Sequence, residues 1–91
     1  MMTPQERIAL IEKRLRDALS PTLIHIKDES HLHIGHEGAK TGASHFALTI
    51  VSEKFANLSA VKRHQLVYEQ LNDLIPKEIH ALKIKANTPQ E

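Results

Sequence analysis

The chain has 91 residues, 41% of them hydrophobic and 25% charged, with no cysteine and a formal net charge of +1. That length allows one domain, near the lower limit of what a single unstapled core supports. Twelve basic against eleven acidic residues give no bulk attraction to nucleic acid or membrane, and the missing thiols exclude disulfides and any thiolate metal site built by this chain alone.

No apolar run approaches the roughly 18 residues of a membrane span, and the start is polar, so the expected compartment is the cytoplasm. Seven histidines accompany one Tyr, two Phe and no Trp. The core must therefore be packed by Leu, Ile, Val and Ala.

Thr3-Pro4-Gln5-Glu6 predicts a helix start: Thr3 caps, Pro4 suits the first position and Glu6 completes a capping box. Ile8, Ile11, Leu15, Ala18 and Leu19 continue it as one apolar stripe until Ser20-Pro21 ends it near residue 19. Residues 22–29 alternate, with Ile24 and Ile26 on one face and His25 and Lys27 on the other, as a strand does. Residues 30–44 hold all three glycines and no periodicity, which predicts a long loop, mobile over 31–44. A second strand follows at 45–52, with Phe46, Leu48 and Ile50 inward, and a connector then tucks Phe55 and Leu58 into the core. Ser59 caps a second helix over 59–75 whose inner face is Val61, His64, Val67, Tyr68, Leu71, Leu74 and Ile75, stopped by Pro76. A third strand spans 79–86, and a polar tail, 87–91, closes the chain.

These elements make one α+β domain over 1–91 with an ordered core of about 3–86: an αββαβ two-layer sandwich on a three-stranded mixed sheet. The helical crossover between the last two strands implies that they pair in parallel.

Five stretches carry a family resemblance. They are Lys27-Asp28-Glu29-Ser30 before the glycine-rich loop, Ser44-His45-Phe46, Val51-Ser52-Glu53-Lys54-Phe55, the run Leu58-Ser59-Ala60-Val61-Lys62-Arg63-His64-Gln65-Leu66-Val67-Tyr68, and Ile79-His80-Ala81-Leu82. In this order and spacing the chain resembles the BolA family. The resemblance implies a fold similar to type II KH domains and a non-enzymatic partner of a monothiol glutaredoxin with a Cys-Gly-Phe-Ser site. The two would share a [2Fe–2S] cluster held by glutaredoxin cysteine and glutathione thiolates and a histidine from the BolA side. The isolated chain is then expected as a monomer or weak dimer carrying no cluster. Some family members are also associated with transcriptional regulation.

The resemblance assigns the C-terminal ligand histidine to His80, which shares a face of the third strand with Leu82 and Ile84 near the strand's start. A second ligand is expected shortly after the first strand, where His33 fits best and His36 is the runner-up; His31 is the third loop histidine. His45 and His64 are read as structural, His64 as a hydrogen-bonded core residue. Imidazole in place of thiolate removes negative charge from a cluster and raises its potential, which is how a cysteine-free chain can take part. No catalytic group emerges: Ser59 beside His64 is used as a cap, and Asp28, Glu29 and His33 lack a nucleophile to activate.

The alternative reading is a nucleic-acid-binding regulator, with DNA as the partner of a basic face of Lys62, Arg63, Lys77, Lys83 and Lys85. Gly35-His36-Glu37-Gly38 matches the GxxG of KH domains, but it lies between strands rather than helices and carries a carboxylate that repels phosphate.

Overall fold

The computed structural model describes residues 2–30 and 44–91. His31, His33 and His36, and the mobility expected of 31–44, lie outside the described residues.

Helix α1 spans Pro4–Leu19 and opens on the expected capping box: Glu6 N–H donates to Thr3 Oγ1 at 3.1 Å, and Thr3 N–H donates to Glu6 Oε1 at 2.8 Å. At its other end Ser20 takes a left-handed φ of 44°, and the buried Ser52 hydroxyl donates to the Leu19 carbonyl at 2.6 Å, satisfying a carbonyl the helix leaves open. Ile11, Leu15 and Leu19 are buried along one side.

Strands β1 (Leu23–Asp28), β2 (Ser44–Val51) and β3 (Ile79–Asn87) form one sheet in that order, β1 antiparallel and β3 parallel to β2. The parallel pair needs a crossover, and helix α2 (Ala60–Glu69) supplies it after a 3-10 turn at Glu53–Phe55. Register aligns Ile26 with Leu48 and Ile84, and Ile24 with Ile50 and Ala86. This inner face meets α1, Phe55, Val67, Leu71 and Leu74 in one core. The α+β class and the αββαβ order are therefore as expected, with Phe55 buried in the connector.

Three parts of the second half differ from expectation. Helix α2 ends at Glu69 instead of 75, because Gln70 and Leu71 donate to the carbonyls of Val67 and Tyr68, tightening the backbone toward the 3-10 turn Asn72–Leu74. Leu71 and Leu74 stay buried, since a 3-10 turn also returns every third residue to one side.

The buried face of α2 is also rotated by one position. Val61 is 65% exposed, Tyr68 37%, and His64 is exposed and not in the core, whereas Val67 is buried and Arg63, Leu66 and Gln70 are partly so. The guanidinium of Arg63 explains the turn: it donates to the carbonyls of Leu58 and Ala86, each at 3.0 Å, and grips both oxygens of Glu91. Finally, the C-terminal segment is attached rather than a loose tail. The strand reaches Asn87, Thr88 is buried, and Glu91 closes back on Arg63 and the Thr88 N–H.

Two outcomes follow. Leu48→Ala or Leu15→Ala, each emptying a nearly dry core site, should destabilise the protein by about 2–5 kcal/mol in denaturant unfolding, a large part of the roughly 5–15 kcal/mol of a small domain. Arg63, helped by the Thr88 N–H, lowers the Glu91 carboxyl from 4.5 to about 2. Because the folded value lies below the unfolded one, this attachment contributes above pH 4.5 and is lost as pH falls toward about 2. Protection of the Thr88 amide against exchange, relative to its intrinsic rate, should fall over that interval, and Glu91→Gln should remove that fall.

Candidate functional site

The site begins with a geometric conflict in β3. Ile79 and Leu82 are both buried, 0% and 8% exposed, although residues three apart in a regular strand point to opposite faces. The conflict is resolved by a register shift: Ser44 pairs with Ile79 but His45 with Ala81, so β3 takes two steps where β2 takes one. Such a bulge leaves one residue over, here His80, and re-aims its side chain. His80 is exposed. The expectation that it shares a face with Leu82 and Ile84 is therefore corrected.

The expelled His80 meets His45. Their ring centroids are 4.9 Å apart with planes tilted by 50°. His45 is only 8% exposed, and its backbone is held to the end of β1: its N–H donates to Ser30 Oγ at 3.1 Å and its carbonyl accepts from Glu29 N–H at 2.8 Å. Sequence reasoning gave His45 a structural role and missed the pairing. The signal was available in the odd spacing of Ile79 and Leu82, two residues too apolar to face water.

A second missed residue is Arg7. It is 5% exposed on the inner side of α1, in a stripe with Ile11, Leu15 and Leu19, a spacing of four that the sequence shows. Its Nε donates to Glu78 Oε2 at 3.0 Å and its Nη1 to Ser44 Oγ at 3.2 Å, while Ser44 N–H donates to the Glu78 carbonyl at 3.4 Å. One guanidinium thus joins the entries of β2 and β3, one residue before His45 and two before His80.

Among the described residues no three His, Cys, Asp or Glu side chains converge on a metal position. The two paired histidines can offer at most two ligands, and His33 and His36 fall outside the described residues.

The five basic residues picked from the sequence do not share one surface, and Lys77 is exposed in the turn before β3. Lys62 is exposed on α2, and Arg63 is spent on Glu91 and two carbonyls. Lys83 and Lys85 are exposed on the outer face of the sheet, where the register adds a third lysine: Lys27, Ala47 and Lys83 lie in one row, His25, Thr49 and Lys85 in the next. Glu29 lies 3.3 Å from Lys83 at the histidine end of this face. A groove of about 430 Å³ between α2 and β3 is lined by Leu58, Arg63, His64, Lys85 and Glu91, at the end of β3 away from His80. It is crossed by the Arg63–Glu91 pair and gathers no convergent chemistry.

Among the described residues no helix is long and apolar enough to cross a membrane. The sequence pattern of the family described as BolA-like protein matches residues 15–91. The chain is 39% identical over 82 residues to the "DNA-binding transcriptional regulator BolA" of Haemophilus influenzae, covering 90% of this chain and 77% of that protein. It is 40% identical over 86 residues to "SufE-like protein 1, chloroplastic/mitochondrial" of Arabidopsis thaliana, covering 89% of this chain but only 23% of the relative. Against human BolA-like protein 1 it spans 58% of the relative's length. The solved BolA domain of SufE1 from Arabidopsis thaliana superposes with a TM-score of 0.82 at 37% identity, over 99% of this chain and 98% of that one. BolA1 from the same plant gives 0.80 at 35% identity, over 93% and 94%. Several relatives carry organelle names, so they do not decide this chain's compartment. The match over 77 of 91 residues, with the sheet order and helix placement shared by these structures, puts the chain in the BolA-like family.

Proposed function

We propose that this chain is a non-catalytic, cytoplasmic partner of a monothiol glutaredoxin and lends it histidine ligands for a shared [2Fe–2S] cluster. The observation that supports this best is His80: exposed, set at a bulge on a strand that fixes its direction, and backed by a second imidazole 4.9 Å away. A rigid ligand loses little conformational entropy on binding, which suits an exchangeable cargo. The donor set fits the cargo in kind. Neutral imidazole binds iron, while the thiolates that iron–sulfur clusters also require must come from the partner's cysteine and glutathione. His33, with His36 as runner-up, is the proposed second ligand. An imidazole must be deprotonated to ligate, so acid weakens the complex.

A second reading is supported by a different surface. Relatives in Haemophilus influenzae and Vibrio cholerae are named DNA-binding regulators, and the outer sheet face concentrates Lys27, Lys83 and Lys85 around the short side chains of Ala47 and Thr49. Strands lie about 4.8 Å apart, so lysines on β1 and β3 stand roughly 10 Å apart across a shallow trough. Among its described residues the face has no Phe, Tyr or Trp and only the small ring of His25 to stack on, so contact would rest mainly on phosphates.

For the first reading, His80→Ala should keep the fold but abolish the visible absorption and circular dichroism change seen on mixing with cluster-loaded glutaredoxin. His33→Ala should weaken that change and His25→Ala should leave it intact; an undiminished spectrum with His80→Ala would reject His80 as ligand. For the second, duplex binding should fall with salt at a log–log slope of about −2.7 for about three phosphate contacts. Each of Lys27→Gln, Lys83→Gln and Lys85→Gln should flatten that slope by about 1, whereas Lys62→Gln should not. A slope unmoved in the triple variant rules this face out.

A further inference from the structure

We propose that Arg7 is a positioning residue for the histidine pair: its guanidinium clamps the entries of β2 and β3 and thereby holds the bulge that turns His80 outward against His45. The proposal deepens the reading of His80 as a cluster ligand and rests on it only for its consequence in the complex.

The bulge sits at the first pairs of the β2–β3 ladder. It falls between Ser44 and His45, the last pairing before the strands part, and the backbone bond there, Ser44 N–H to the Glu78 carbonyl, is long at 3.4 Å. Without a further tie, β3 can relax by losing the bulge while the pairs from Ala81 onward keep their register, which turns Ile79 outward and His80 inward beside Leu82. Arg7 supplies that tie from a third element. Its Nε holds Glu78, the residue before Ile79, and its Nη1 holds the hydroxyl of Ser44, the residue before His45. Both contacts come from one planar fork, so the separation of Glu78 and Ser44 is set by a rigid group.

Burial adds to the constraint. Arg7 is 5% exposed and the Glu78 side chain 19%, so neither charge can swing into water while the other stays in place. The capping box at Thr3 and Glu6 fixes the first turn of α1, and with it the point from which Arg7 reaches across. Outer groups that orient a ligand in this way typically change metal affinity 10–100-fold when removed.

The test compares Arg7→Met, Arg7→Lys, the charge-free double variant Arg7→Met/Glu78→Met, and Leu15→Ala as a variant destabilised elsewhere in the core. Two readouts are taken below each variant's melting transition: the nuclear Overhauser effect between the His45 and His80 ring protons in the protein alone, and the visible spectrum of the mixture with cluster-loaded glutaredoxin. In Arg7→Met and the double variant the ring-to-ring Overhauser effect should vanish, and the mixed complex should weaken at least tenfold. Arg7→Lys should restore both in part, since an ammonium reaches one partner but does not span both. Leu15→Ala should keep the Overhauser effect despite its lower melting temperature. An Overhauser effect that persists in both Arg7→Met and the double variant overturns the proposal. If it vanishes on removing Arg7, in a protein whose parent never alters the glutaredoxin spectrum, the positioning role is upheld and the cluster reading refuted.

Discussion

Ile79 and Leu82 must both reach the core, and that single demand shapes the working end of the molecule. A strand alternates with a period of two, and these residues are three apart, so one residue between them has to be expelled from the ladder. The side chains available for expulsion are His80 and Ala81. The bulge leaves both outside, with His80 against His45 and Ala81 taking the paired position. The hydrophobic requirement of the core and the outward presentation of His80 are thus one event.

A core poor in aromatics leaves the joints between elements weakly specified by packing alone, and arginine makes up for this. Three of the four arginines reach across elements. Arg7 joins α1 to the entries of β2 and β3, Arg14 joins α1 to Asp73 and the Gln70 carbonyl beyond α2, and Arg63 joins α2 to the end of β3. Arg16 pairs within its own helix with Glu12. The planar fork holds a carboxylate and a second acceptor at once, which an ammonium does not. The lysines are left for solvent, and the sheet's outer face gathers three of them.

The histidine pair and the lysine rows are adjacent surfaces of different chemistry. The imidazoles meet at one end of the sheet, and Lys27, Lys83 and Lys85 run along the outer strands from there.

Much of this was legible in the sequence, because it depends on signals local to each segment. The Thr3–Glu6 capping box, the alternation of 45–52 and the stop at Ser20 each express the preferences of a few neighbouring residues, and all reappear within a position or two. The family strings carried the class of fold as well. What only tertiary structure decided was every choice that requires two segments at once. The bulge arises because β3 must match β2 and the core together. The rotation of α2 arises because Arg63 has carbonyls to satisfy at Leu58 and Ala86, 23 residues apart at the farther contact. The spacing of Arg7 from Ile11 and Leu15 shows its side of the helix, but its partners, Ser44 and Glu78, lie 37 and 71 residues away and only the fold brings them to it. Periodicity records which way a residue faces along its own element, but the partner across the core determines whether that direction is buried, paired or free.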